Sequence, residues 1–250
     1  MSGDTVQRQK HFKAGDPEPP IDQSKYTIFG FRFCPFTERV LYTVHQHKIS
    51  YDLVPIALAS KPDWFLRMCP TGKVPMLMNN GDKLVESDLI MQFMDQLRGE
   101  QVSLLSVCGT DKFRQTVELA GQFFKPVRAL MYQVSYDPQT EHDLRSACEQ
   151  VNSTVKGDFY DGNELSLADF AIFPMVDRLE VALGRLKGTE PEKIHEFTEA
   201  EVDCSEWPKL VHYLCRMRKL PVVAAVRQSS RLVAMYSASV RDGHPDPEIC

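Results

Sequence analysis

The sequence predicts an α/β domain followed by an all-α helical bundle, and three observations carry that reading. Between residues 25 and 98, short β-rich runs alternate with helical ones in the order β-α-β-α-β-β-α. From about residue 110 the strand signals stop, and apolar residues recur at steps of four and three. Residues 99–109 join the two regimes as a linker without a clear period of their own.

Each element has a local reason. Residues 1–24, with Gly15-Asp16-Pro17-Glu18-Pro19-Pro20, form a polar, proline-rich lead-in expected to be extended and mobile. Tyr26 to Arg32 reads as a strand, and Thr37 to His47 as a helix with Val40, Leu41 and Val44 on one face. Leu53 to Ile56 is a second strand, and Pro62 to Met68 a helical turn opened by a proline. Val74 to Met78 and Lys83 to Val85 are strands around Asn79-Asn80-Gly81-Asp82, a hairpin turn. Ser87 to Leu97 is a helix with Ser87 as its cap and Leu89, Ile90, Phe93, Met94 and Leu97 on its apolar face.

In the bundle, 110–240, Phe113, Val117, Ala120, Phe124, Val127, Met131 and Val134 mark one long helix. Leu144, Cys148, Val151 and Val155 mark a second. Ser166-Leu167-Ala168-Asp169 is a capping-box start for a third, with a stripe of Ile172, Val176, Leu179, Leu183 and Leu186 and a bend at Pro174. Two more helices begin at Trp207-Pro208 and Leu220-Pro221. The tail, 241–250, is polar and expected to be loose.

Composition excludes several classes. At 250 residues, with 43% hydrophobic and 25% charged residues, the chain has the make-up of a globular protein. A net charge of −5 provides no basic field for nucleic acid or anionic lipid. No stretch approaches the roughly 20 apolar residues of a membrane span, and residues 1–20 lack the apolar core of a secretory signal. Seven cysteines at irregular spacing suit a reducing, cytoplasmic setting. Asn152-Ser153-Thr154 matches a glycosylation sequon by chance within a helix. His45 and His47 do not suit metal binding on one helical face, read as surface or edge residues, and no metal site is expected. Met76, Met78, Met91 and Met94 read as core.

Chemistry concentrates at Phe33-Cys34-Pro35-Phe36-Thr37, where a strand meets a helix. Thr37 stands where a Cys-x-x-Cys motif has its second thiol, so Cys34 must find a partner outside the motif, most simply a small-molecule thiol. Unpaired N–H groups and the dipole at a helix start favour a thiolate, and are expected to lower the thiol pKa from near 8.5 by about 2–3 units. Pro75 opening a strand suggests a cis Val74–Pro75 bond that turns the Val74 backbone towards a peptide-like ligand. Glu86-Ser87, just before a helix, offers hydroxyl and N–H groups to a ligand carboxylate.

Together, Phe33-Cys34-Pro35-Phe36, Lys61-Pro62-Asp63-Trp64-Phe65, Pro70-Thr71-Gly72-Lys73-Val74-Pro75 and Glu86-Ser87 resemble the glutathione-site signature of omega-class glutathione transferases over nearly the whole chain. The resemblance implies the cytosolic glutathione transferase fold: a thioredoxin-like domain, 25–98, and a helical domain. It implies a mixed disulfide between Cys34 and glutathione, with Phe36, Lys61, Val74, Glu86 and Ser87 contacting the tripeptide, and glutathione as a co-substrate rather than a tightly bound cofactor. Thiol transfer and dehydroascorbate reduction are the implied activities; methylated arsenicals and phenacyl-glutathione conjugates are further substrates, and conjugation is weak. A homodimer is implied, with no nucleic acid or membrane partner. The second-substrate pocket maps to Met175, Arg178 and Tyr213. Cys69 departs from the family's usual Asn, as packing or as an accessory thiol. A redox-switched protein like the chloride intracellular channels, and a non-catalytic ligand binder, are the alternative readings.

Overall fold

A computed structural model of the chain describes residues 10–250; the first nine residues of the lead-in lie outside that range. A four-stranded sheet is built from β1 (Tyr26–Gly30), β2 (Tyr51–Pro55), β3 (Met76–Asn79) and β4 (Asp82–Val85) in the order β2-β1-β3-β4. β1 and β2 run parallel, and β3 pairs antiparallel with both β1 and β4. The hairpin turn is the one expected: Asn80 and Gly81 take φ values of 49° and 84°, as a type I′ turn requires.

Side chains alternate across the sheet. On one face Ile28 and Leu77 join α1 (Pro35–Gln46), α3 (Ser87–Gln96) and the helical domain in one continuous core. On the other, Phe29, Met76 and Met78 pack against Trp64 and Phe65 of α2 (Asp63–Met68). All four methionines expected in the core are buried.

The helical domain holds α4 (Leu104–Cys108), α5 (Thr110–Tyr132), α6 (Gln139–Thr154), α7 (Leu167–Val176), α8 (Leu179–Leu186), α9 (Pro208–Arg218), α10 (Pro221–Ala224) and α11 (Ser230–Arg241). The capping box at Ser166 forms, with the Ser166 N–H and hydroxyl both 2.8 Å from Asp169 Oδ2. The helix expected to bend at Pro174 is instead two helices, broken at Asp177–Arg178, where the Arg178 guanidinium donates back to the Pro174 carbonyl at 3.0 Å. The two helices expected after Trp207 are three, because α10 is a single turn and α11 starts afresh at the Ser229 cap. Val134 lies beyond the end of α5 and is exposed.

Four further expectations are corrected. The lead-in is tied down from residue 11: Phe12 bridges to Ile56, and the Trp64 indole donates to the Asp16 carbonyl at 3.1 Å. The tail is held as well, since Glu248 accepts hydrogen bonds from the His11 N–H and pairs with its ring at 2.9 Å. His47 is buried against Asp95 at 2.7 Å rather than exposed. On α3 the buried stripe is Ile90, Met91 and Met94, while Leu89, Phe93 and Leu97 face outward.

Candidate active site

The site forms where β1 ends and α1 begins. Gly30 permits the close approach there, because a Cβ on it would lie 2.6 Å from Thr37 Cγ2. Cys34 occupies the N-cap position of α1, with Pro35 inside the first turn, where no N–H is missed. The Cys34 carbonyl accepts the N–H groups of Thr37 and Glu38, both at 3.0 Å, and starts the helix.

Cys34 faces a cavity of about 610 Å³, within the roughly 300–1,000 Å³ of small-molecule sites. The thioredoxin-like wall supplies Phe36, Lys61, Val74, Glu86 and Ser87, so the structure brings the residues expected to contact glutathione around one space with Cys34. The Val74 carbonyl lies 4.0 Å from Cys34 Sγ, and the Val74–Pro75 bond is cis. Ser87 is the first residue of α3 rather than its cap. Glu86 holds the cap position at φ 69°, a left-handed value that non-glycine residues rarely adopt. Lys61, Lys73 and Arg128 line the cavity against the single carboxylate of Glu86, giving it an excess of positive charge.

The opposite wall comes from α5 and α11 as Phe124, Arg128, Tyr132, Tyr236 and Val240. Tyr236 stacks on Phe33 with ring centres 4.5 Å apart. Sequence reasoning missed this wall. Phe124 was legible only as part of a core seam, and nothing local shows that the last helix folds back over Cys34.

Met175, Arg178 and Tyr213 do not line the cavity; each is fully buried in the core. The Tyr213 hydroxyl points at the Asp169 carbonyl. Arg178 clamps Glu38 of α1 through two bonds of 2.5 and 2.6 Å and reaches the Phe33 carbonyl at 3.5 Å. Glu38 holds Arg178 in its charged form against the cost of burial. Cys69 is also packing: it sits in the core between the sheet and α2, with its sulfur 3.3 Å from the Thr71 hydroxyl, and does not line the cavity.

The thiol itself departs from expectation. Burial pushes the Cys34 pKa up, against hydrogen bonds from the Thr37 N–H, the Thr37 hydroxyl and the Phe36 N–H; the Glu38 charge raises it further. Thr37 is not merely the absence of a resolving cysteine: its hydroxyl accepts the Phe31 N–H at 3.2 Å and its own N–H donates to the Cys34 carbonyl at 3.0 Å, fixing the junction that presents the sulfur. A raised pKa means less thiolate at neutral pH, and reactivity that climbs as pH passes the ordinary thiol value of about 8.5. Iodoacetamide should therefore label Cys34 of the ligand-free protein more slowly at pH 7 than a free cysteine peptide. The rate should still be rising above pH ~8.5. A plateau below pH 7 would contradict this.

Comparison with known proteins places the chain. The family model described as "Glutathione S-transferase, N-terminal domain" matches residues 28–101. Glutathione transferase omega-1 of Caenorhabditis elegans is 26% identical over 226 residues, covering 88% of each chain. "Probable glutathione S-transferase DHAR1, cytosolic" of Oryza sativa subsp. japonica is 30% identical over 175 residues, covering 67% of this chain and 78% of the relative. Among solved structures, glutathione transferase Omega 2C of Trametes versicolor shares the fold at a TM-score of 0.70 and 21% identity, over 88% of this chain and 99% of its own. The chain belongs to the glutathione transferase family and resembles its omega-class members.

Proposed function

We propose that the protein is a glutathione-dependent thiol transferase and dehydroascorbate reductase that works through Cys34 alone. The observation that carries this reading is that, among the described residues, Cys34 is the only cysteine lining the cavity, with Thr37 beside it and Cys69 in a separate core. A monothiol site needs an external thiol. The net positive lining suits glutathione, whose two carboxylates outnumber its one ammonium group. Glu86 takes that ammonium, Ser87 the neighbouring carboxylate, Lys61 the glycyl carboxylate, and the Val74 backbone the central peptide, with Phe36 at the rim.

The chemistry is two exchanges. The Cys34 thiolate attacks the glutathionyl sulfur of a mixed disulfide; the old S–S bond breaks and the other thiol leaves with the electron pair. A second glutathione thiolate then attacks the Cys34–glutathione disulfide, releasing oxidised glutathione and restoring Cys34. With dehydroascorbate, two glutathiones supply the two electrons and two protons that give ascorbate. A basic thiolate is scarce at neutral pH but more nucleophilic per ion, which partly offsets its low population. Methylated arsenicals and phenacyl-glutathione conjugates are further candidate substrates. Glutathione titrated into the Cys34→Ala protein tests the binding half of the proposal: saturable binding supports it, and none refutes it.

The proposal includes a homodimer. Leu89 and Phe93 on α3 and Leu97 at its C-cap recur at one-turn spacing and are 48%, 37% and 42% exposed, an apolar stripe that a second copy would cover. Wild-type protein should sediment as a dimer and the Phe93→Asp variant as a folded monomer. A monomeric wild type at working concentration would contradict this.

A further inference from the structure

Arg39 carries a charge that, among the described residues, has no carboxylate within ion-pair distance. It lies on α1 and is 2% exposed. Its one side-chain hydrogen bond runs from Nη1 to the Ser87 hydroxyl oxygen at 3.4 Å, its guanidinium lies 5.2 Å from the Phe36 ring centre, and its Nε has no partner. Other deep arginines are each matched with acids: Arg178 with Glu38, Arg218 with Asp177 and Glu180, and Arg227 with Asp177 and Glu196. Among the described residues, no carboxylate lies within ion-pair distance of Arg39; Asp88 attracts it only from farther away.

Burying a cation without a partner is costly, and such a group is retained where an anion completes the site. The contacts of Arg39 show where that anion belongs. Ser87 opens α3 and lines the cavity, and Phe36 lines it too. A carboxylate accepting the Ser87 hydroxyl proton and the N–H groups at the start of α3 would sit one hydroxyl away from the guanidinium.

We infer that Arg39 is a positioning residue for the γ-glutamyl carboxylate of glutathione: it acts through the Ser87 hydroxyl, and that carboxylate supplies its missing counter-charge. This rests on the glutathione site proposed above. The carboxylate is bound equally before and during reaction, so losing Arg39 weakens binding and leaves the chemical step alone.

The test measures steady-state turnover of a glutathionyl disulfide by the full-length chain at varied glutathione concentrations. Arg39→Met should raise the KM for glutathione about 10-fold while kcat stays within about 2-fold. Arg39→Lys should recover part of the loss. In a Ser87→Ala background, Arg39→Met should add less than about 2-fold, since the path through the hydroxyl is already cut. Inhibition by cysteinylglycine, which lacks the γ-glutamyl group, should be the same in wild type and Arg39→Met. Arg39→Gln is the second variant, and serves should the apolar one not fold: it keeps a donor without the charge and must show the same rise in KM. An unchanged KM overturns the inference. So does equal weakening of cysteinylglycine, which would place the effect elsewhere in the cavity, or a fall in kcat at constant KM, which would make Arg39 a partner of the Cys34 sulfur. A wild type indifferent to glutathione would refute the site itself as well.

Discussion

Replacing Cys34 by alanine should take the proposed glutathione-dependent thiol transfer and dehydroascorbate reduction to the uncatalysed background, a fall of at least about 100-fold. Alanine removes the only sulfur that lines the cavity among the described residues and leaves the first turn of α1 intact, because the helix start is made by the Cys34 backbone carbonyl. Folding and glutathione binding should survive, and the loss should appear in kcat. Cys69→Ala, which removes a thiol outside the cavity, should keep near-wild-type turnover. More than a tenth of wild-type activity in Cys34→Ala would show that the sulfur is not the nucleophile.

Cutting the Arg178–Glu38 clamp should cost the fold about 3–5 kcal/mol. The pair is buried and bidentate, and ties the helix that carries Cys34 to the break between α7 and α8. Arg178→Met leaves the Glu38 carboxylate buried without its partner. Burial already pushes that carboxyl up, against the pull of Arg178. Adding Glu38→Met removes the stranded charge, so the double variant should be more stable than either single one. Urea unfolding of the three variants measures this. A single variant within about 1 kcal/mol of wild type would show that the pair is idle.

Much of this was legible in the sequence because it is local. The hairpin at Asn80-Gly81, the capping box at Ser166 and the cysteine at a strand-to-helix junction are set by residues a few positions apart. The cavity's thioredoxin-like wall was legible through motif residues spread from Cys34 to Ser87. Most of the failures are tertiary. Arg178 matched a pocket position through the family resemblance, yet the acid that pairs with it is 140 residues away in the chain. The stripe of α3 was read too wide: Ile90 and Met94 are buried as expected, but Leu89, Phe93 and Leu97 face outward, and an exposed apolar face has the same period as a buried one. Tyr132 and Tyr236 carry no local mark that their helices converge over Cys34. Arg39 sits in an amphipathic helix as an ordinary charged residue until its burial is known. Asn152, legible only as a stray sequon, accepts the Lys209 and Leu210 N–H groups and caps α9.

The central claim is that Cys34 exchanges disulfides with glutathione alone, without a resolving cysteine. The direct measurement is the mass of the protein after exposure to oxidised glutathione, followed by peptide mapping and then addition of reduced glutathione. One glutathione should be found on Cys34 and should leave when reduced glutathione is added. An internal disulfide linking Cys34 to another cysteine, or a Cys34 that takes up no glutathione, would contradict the account.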